Sequence, residues 1–134
     1  MPDLRTGALL AADNEFQPGD KMPDGTIYAG ISPDSRRAMY VVPADANIFT
    51  WKNAVLHAAK LDAHGHRDWR VPTLNELDSL FQKRAMIGGF SMTGWYCSSL
   101  LSSHGLAWVQ RFSDGHQFSY SHKTDNLLLR CVRG

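Results

Sequence analysis

The sequence predicts an α+β domain in which two helices pack beside an antiparallel sheet. The first third alternates short runs of β-branched and aromatic residues with turn clusters, and the last third does the same. Between them, apolar residues recur at helical spacing. A chain of 134 residues suits one domain whose core needs neither a disulfide nor a metal. We therefore expect a single domain over residues 1–134, with an irregular lead-in over residues 1–20.

Two strands are predicted in the first third, over residues 26–31 and 38–42, where β-branched and aromatic side chains are frequent. Pro33 and Asp34 lie between them in a cluster typical of turns. A β-hairpin is the simplest arrangement of this segment.

The middle third predicts two helices. Thr50 is a plausible N-cap for a helix over residues 51–63, which we expect to end near Gly65. Thr73 and Glu76 have the spacing of a capping box, in which the hydroxyl and the carboxylate bond each other's backbone N–H. This second helix should cover residues 73–85 and end near Gly88 and Gly89.

The last third returns to strands, predicted over residues 94–99, 106–112, 116–121 and 127–133. Asp114-Gly115 favours a hairpin turn between the second and third of these strands. We expect both chain termini to lie in neighbouring strands.

The charge balance argues against a nucleic-acid partner. The chain has 14 Lys and Arg against 13 Asp and Glu, with a net charge of +1 and no basic stripe. The apolar run 8–12 is too short for a signal peptide, and no stretch is long enough to cross a bilayer. We expect no membrane insertion.

The cysteine and histidine positions leave little basis for a cofactor. Cys97 and Cys131 are either two half-buried thiols or one long-range disulfide, and the sequence leaves both open. His64 and His66 have no third ligand nearby in the sequence, so we expect neither a metal site nor another cofactor.

The order of motifs from residue 51 onward resembles the Lcl C-terminal domain family, a bacterial and phage family of the C-type lectin superfamily. The most specific segment is 68–77, which has the form D-W-R-V-P-T-x-x-E-L. The helix before it and the strands after it supply further matches, at Trp51, Ala54, Ala58, Leu61, Tyr96, Ser98, Ser99, Ala107, Trp108, Phe112, Gly115 and 129–133. We interpret Trp69 as a core residue under the second helix, with Asp68 and Arg70 fixing the adjacent turn.

The resemblance implies a C-type lectin-like fold with paired terminal strands and a long irregular binding face. The motifs with which calcium-dependent lectins hold their ion are absent from the sequence. Cys97 stands where the family pattern has an aromatic residue, so we expect position 97 to be exposed. The superfamily also includes formylglycine-generating enzymes, and a cysteine oxidase remains an alternative to a binding domain. A structural domain of a phage tail assembly is another. The resemblance implies a location in a virion, as part of a phage tail, or in the cytoplasm.

The preferred hypothesis is a binding domain without catalytic activity, whose binding region lies within residues 95–133. Its partner would be a protein ligand or a cell-surface receptor, and homo-oligomer formation or incorporation into a larger assembly stays open. A set of residues in this region can all be reached from an asparagine codon by changing adenines, which is how diversity-generating retroelements vary C-type-lectin-like proteins. The set, predicted as the ligand-binding residues, is Cys97, Leu100, Leu101, Ser102, Ser103, His104, Leu106, Val109, His116, Phe118, Tyr120, His122 and Thr124.

Alternation within the segment 116–122 places His116, Phe118, Tyr120 and His122 on one side of a strand. They are either a recognition face or, in the competing interpretation, core residues with the intervening positions in water.

Overall fold

Two β-sheets and three helices make up the part of the chain that the computed structural model describes. It describes residues 16–48, 50–120 and 127–134, with the side chain of Tyr120 left out. In chain order the elements are β1 (Ile27–Ile31), β2 (Ala38–Val41), β3 (Ala46–Ile48), α1 (Trp51–Lys60), α2 (Leu74–Gln82), α3 (Arg84–Ile87), β4 (Trp95–Leu101), β5 (Ala107–Arg111), β6 (Gln117–Tyr120), β7 (Leu127–Leu129) and β8 (Val132–Arg133). The predicted α+β class is confirmed, and the arrangement is compatible with the C-type lectin-like fold.

The smaller sheet has the strand order β1-β2-β8 and the larger one β3-β7-β4-β5-β6. All pairs are antiparallel except β4 and β7, which run parallel. The strand predicted over 127–133 is interrupted at Arg130 and Cys131, so its two halves belong to different sheets. The terminal strands that the structure describes share a sheet but do not touch, because β2 lies between β1 and β8. The lead-in predicted over residues 1–20 lies outside the described residues up to position 15.

The larger sheet is covered by a helix on each face. Strand alternation turns Tyr96 towards α2, where it joins Leu77 and Leu80 in one core cluster. The next residue, Cys97, points to the opposite face and joins Ala54 and Ala58 of α1 in a second cluster. Both faces of β4 are therefore buried at its centre, and its last two residues are exposed.

The helix starts agree with the sequence, and the helix ends differ. Thr50 accepts a hydrogen bond from the N–H of Asn53 at 3.0 Å, and the capping box of Thr73 and Glu76 is present. Helix α1 ends at Lys60 because the backbone is extended at Leu61 and a tight turn follows. The predicted second helix is broken at Lys83, so residues 84–87 form the separate α3.

Trp69 is a core residue, but under α1, so its predicted place under the second helix is wrong. It is 3% exposed and belongs to the cluster that contains Ala54 and Ala58. Its indole N–H donates to the carbonyl of Ala63 at 3.1 Å. The tight turn after α1 therefore brings the ring back beneath that helix.

Asp68 and Arg70 hold the C-terminal strand in place and do more than fix a turn. The backbone of Arg70 exchanges two hydrogen bonds with Val132, at 2.8 and 2.9 Å. Asp68 accepts two hydrogen bonds from the guanidinium of Arg133, at 2.8 and 3.1 Å. The motif thus joins the segment before α2 to β8.

Among the described helices, none has the length and apolarity that a membrane span requires.

Candidate ligand-binding surface

The hairpin tip, defined as residues 100–106 between β4 and β5, is held by one serine. The N–H of Ser102 donates to the carbonyl of Leu106 at 2.8 Å, and the N–H of Gly105 donates to the carbonyl of Ser102 at 2.9 Å. The Ser102 hydroxyl also accepts from the N–H groups of His104 and Leu106, each at 3.2 Å. Gly105 has φ 77°, a left-handed conformation that favours glycine. The turn is therefore ordered by its own backbone.

Four side chains project from the hairpin tip. Leu100 is 45% exposed and Leu101 38%, and Ser103 and His104 are exposed as well. Ser102 and Leu106 are half-buried. Adjacent exposed leucines on an ordered turn are unusual, since single scattered apolar side chains are the norm on a protein surface.

A second group, the aromatic platform, consists of Trp95, Arg111, Asp114, His116 and Phe118, of which Asp114 and His116 are exposed and the other three half-buried. The Trp95 and Phe118 rings meet edge to face with centroids 4.7 Å apart, and the Arg111 guanidinium carbon lies 5.0 Å from the Trp95 centroid. Asp114 accepts two hydrogen bonds from Arg111, at 2.9 and 2.5 Å, which lower the pKa of that carboxyl. The Arg111 charge is therefore already matched.

The sequence prediction missed Trp95 and Arg111 as surface residues and treated them as framework. The pairing of the strands is what places them on the surface: Trp95 pairs with Arg111, and Val109 pairs with Phe118. Paired residues in neighbouring strands point to the same face. The side chains predicted from β6 therefore share their face with Trp95.

Part of that face is buried in the core, and part of it is exposed to solvent. His116 is exposed, Phe118 is half-buried against the α1 cluster, and Gln117 is half-buried on the opposite face. Neither sequence interpretation of this strand is therefore complete, because the ring of Phe118 both closes the core and reaches the surface. The side chain of Tyr120 and the residues His122 and Thr124 lie outside the described part of the chain.

Cys97 and Val109 were predicted as binding residues, and the expected exposure of position 97 is wrong. Both side chains are 0% exposed, because strand alternation turns them into the cluster beneath α1. Burial raises the pKa of the Cys97 thiol to about 12 and does the same for Cys131. Both cysteines are free. A buried, protonated thiol is a poor nucleophile, so the geometry does not favour a cysteine oxidase.

The exposed candidates fall into two groups. The hairpin tip and the aromatic platform lie at opposite ends of the β4–β5 pair, about 20 Å apart for six residues of strand. Between them the framework is fixed by buried polar contacts. The amide of Gln110, itself fully buried, donates to Asp78 at 2.9 Å and to the carbonyl of Gly115 at 3.1 Å.

The side chains of His64 and His66 each contact a different group of Asp24. A ring nitrogen of His66 lies 2.7 Å from the Asp24 carboxylate, and one of His64 lies 3.0 Å from the Asp24 carbonyl. Hydrogen bonds from the Thr26 hydroxyl and from His66 lower the pKa of Asp24. Within the described residues, no three His, Cys, Asp or Glu side chains are placed to share a metal ion. These contacts thus link the turn that contains His64 and His66 to the loop that contains Asp24.

The family model of the Lcl C-terminal domain matches residues 30–133, from β1 to β8. The chain belongs to this family. The match extends the resemblance found in the sequence by some twenty residues towards the N-terminus, and it covers both exposed groups. Membership of the Lcl C-terminal domain family indicates a domain of the ligand-binding or receptor-recognition type. No curated protein matches the chain.

Proposed function

We propose that this Lcl C-terminal domain binds a protein or a cell-surface receptor through the hairpin tip. The observation that supports this most directly is the pair of exposed leucines, Leu100 and Leu101, on a turn whose backbone is ordered by Ser102. A backbone that is ordered before binding loses little conformational entropy when a partner covers the side chains that it carries. His104 and Ser103 add polar groups at the rim.

We further propose that the outward positions are varied by a diversity-generating retroelement while the framework stays fixed. The arrangement supports this because substitutions at Leu100, Leu101, Ser103 or His104 would leave the hydrogen bonds of Ser102 and Gln110 intact. His116 is an outlying position of the same kind. Cys97 and Val109 are left out of the varied contact set, because their side chains pack in the core.

A display library tests the binding surface. One library randomises positions 100, 101, 103 and 104, and a matched control library randomises four buried positions, 97, 98, 109 and 110. We expect most tip variants to resist protease, and selection against unrelated protein targets to yield tip-dependent binders. Protease sensitivity of the tip library at the level of the control would contradict the proposal.

Deep sequencing of the gene across a natural population tests the diversification. We expect substitutions at codons 100, 101, 103, 104 and 116 that arise from adenines, next to unchanged codons for Ser98, Ser102, Gln110 and Asp114. A uniform spread of substitutions over all codons would sink the retroelement hypothesis, and would leave the binding surface to be judged by the display experiment.

A further inference from the structure

A groove lies between α1 and the segment 69–73. Its apolar lobe has a volume of about 450 Å³. The floor is made by buried side chains and the walls by half-buried ones and the exposed Ala59, and the apolar lining as a whole is Trp51, Val55, Ala58, Ala59, Trp69 and Val71. A space of this size accommodates one large apolar side chain or a small ligand.

A second lobe, of about 310 Å³, continues from the first. The two lobes share Thr73 and Ser99, which are brought side by side because the N–H of Ser99 donates to the carbonyl of Pro72 at 2.8 Å. The second lobe is further lined by Asp34, Leu74, Asn75 and Leu100. The groove therefore runs from an apolar end at α1 to a polar end at Asp34.

The charges along the groove do not cancel. Arg70 lines the apolar lobe, but its guanidinium is engaged by both oxygens of Glu76, at 2.6 and 2.8 Å. Asp34 accepts hydrogen bonds from the Thr73 hydroxyl and from the Asn75 amide, which fix the carboxylate without neutralising it. No ion pair of Asp34 with a basic side chain is present among the described residues, and Arg36 and Arg37 of the same turn do not line the groove. The polar end thus carries one negative charge.

We propose that this groove binds a peptide segment in which a large apolar residue is followed by a lysine or an arginine. The apolar side chain fills the lobe under α1, and the cationic side chain lies against Asp34. The indole N–H of Trp51, at the wall of the apolar lobe, is buried without an acceptor among the described residues. This site shares Leu100 with the hairpin tip, whereas Leu101, Ser103 and His104 do not line it.

Three capped dipeptides serve as probes: acetyl-leucyl-lysine amide, acetyl-leucyl-glutamate amide and acetyl-seryl-lysine amide. Each is titrated into isotope-labelled protein and followed by NMR chemical shifts. We expect the leucyl-lysine probe to saturate with shifts at the Trp51 and Trp69 indoles and at Ser99. The other two probes should bind at least about tenfold more weakly, since each loses either the charge match or the apolar contact.

Substitutions locate the site. Ala59→Trp fills the apolar lobe and should abolish binding, while Leu56→Trp, an exposed position of the same helix outside the groove, should leave it unchanged. Ala59→Leu replaces the larger substitution if thermal denaturation shows that the indole unfolds the helix. Asp34→Asn should weaken the leucyl-lysine probe about tenfold, and Asp62→Asn should not.

Equal affinity for the three probes, no saturation, or binding that survives the filled lobe would each overturn the proposal. Replacement of Leu101 and His104 by serine should leave the titration unchanged. Failure of the groove is thereby separated from failure of the hairpin tip, which the display library measures.

Discussion

Glu76 is a fully buried carboxylate whose charge is met by four hydrogen bonds. Arg70 donates two, the Ser32 hydroxyl donates one at 2.5 Å, and the Thr73 N–H donates one at 2.9 Å. Burial alone would raise the pKa of this carboxyl, but the hydrogen bonds outweigh it and lower the pKa to about 2. The carboxylate therefore joins the first hairpin, the D-W-R segment and the start of α2.

The depressed pKa of Glu76 gives a pH dependence with a definite sign. Its stabilising contribution is complete above the ordinary pKa of 4.5 and is lost as the pH falls towards about 2. We expect Glu76→Gln to lower the free energy of unfolding at pH 7 by about 3 kcal/mol, because one partner of a buried pair is left alone. Urea denaturation at several pH values measures how steeply the free energy of unfolding depends on pH. Between pH 4.5 and 2 this dependence should become weaker in Glu76→Gln, by an amount that corresponds to at most one bound proton.

Asp62 provides the control, because it is exposed and its ion pair with Arg67 is loose at 3.4 Å. Asp62→Asn should leave both the stability and its slope nearly unchanged. An unaltered slope in Glu76→Gln would show that Glu76 titrates normally in the folded protein.

Cys97 lies in the α1 cluster with its thiol protonated. Cys97→Ser is expected to cost about 1–3 kcal/mol, since a hydroxyl is placed in an apolar site, and Cys97→Ala should cost less. In the native protein a thiol reagent should modify Cys97 no faster than the protein unfolds. Rapid modification under native conditions would contradict the buried position.

Trp69 fills the space beneath α1. Trp69→Ala should lower the free energy of unfolding by about 3–5 kcal/mol, the usual cost of truncating a buried aromatic side chain. Denaturant unfolding measures this loss, and Met92→Ala, at a position that is 54% exposed, is the reference with an expected change within about 0.5 kcal/mol. A loss below about 1 kcal/mol for Trp69 would mean that the ring is not core.

At the scale of the elements, the sequence predicts the helix starts well because the caps are local. The hydroxyls of Thr50 and Thr73 bond N–H groups three residues ahead, so the sequence contains both partners. The ends were harder to predict. The break at Lys83 and the end of α1 at Lys60 depend on packing against other elements, which no local motif reports.

The hairpin tip is an element whose order depends on Ser102. Ser102→Ala removes the hydroxyl that accepts from the N–H groups of His104 and Leu106, so we expect faster hydrogen exchange at these two amides, by about fivefold for a bond of about 1 kcal/mol. Global stability should change by less than about 0.5 kcal/mol. Ser103→Ala is the matched control, and equal exchange in the two variants would show that the hydroxyl of Ser102 does not order the turn.

At the scale of the whole molecule, the sequence predicts the fold class and the family but only part of the site. The exposed positions Leu100, Leu101 and His116 agree with the predicted surface, whereas Cys97 and Val109 do not. The β4–β5 pairing is shifted between Cys97 and Leu101, which separates buried residues from exposed ones within a single strand. Such an irregularity follows from the pairing of two strands, and a single sequence offers no pattern that predicts it.

The last residues of the domain, 127–134, contribute a strand to each of its two sheets. Strand β7 lies inside the larger sheet, β8 closes the smaller one, and Arg130 between them is fully buried with its Nε 2.7 Å from Asp45. Removing residues 127–134 should therefore abolish cooperative unfolding, which circular dichroism during heating would reveal. Arg133→Ala, which removes the ion pair with Asp68 and the guanidinium contact with the Tyr40 ring but leaves β8 in place, should retain the transition. A cooperative transition in the shortened chain would contradict this.

This arrangement has a consequence for biosynthesis. A nascent chain that has exposed everything up to β6 still lacks the strand that joins β3 to β4, so α1 has no complete surface on which to pack. Contacts between residues far apart in sequence form slowly, and apolar surface stays accessible until they do. The domain can acquire its fold only after residues 127–133 have left the ribosomal tunnel. Until then, the apolar residues that form its two core clusters stay accessible to chaperones.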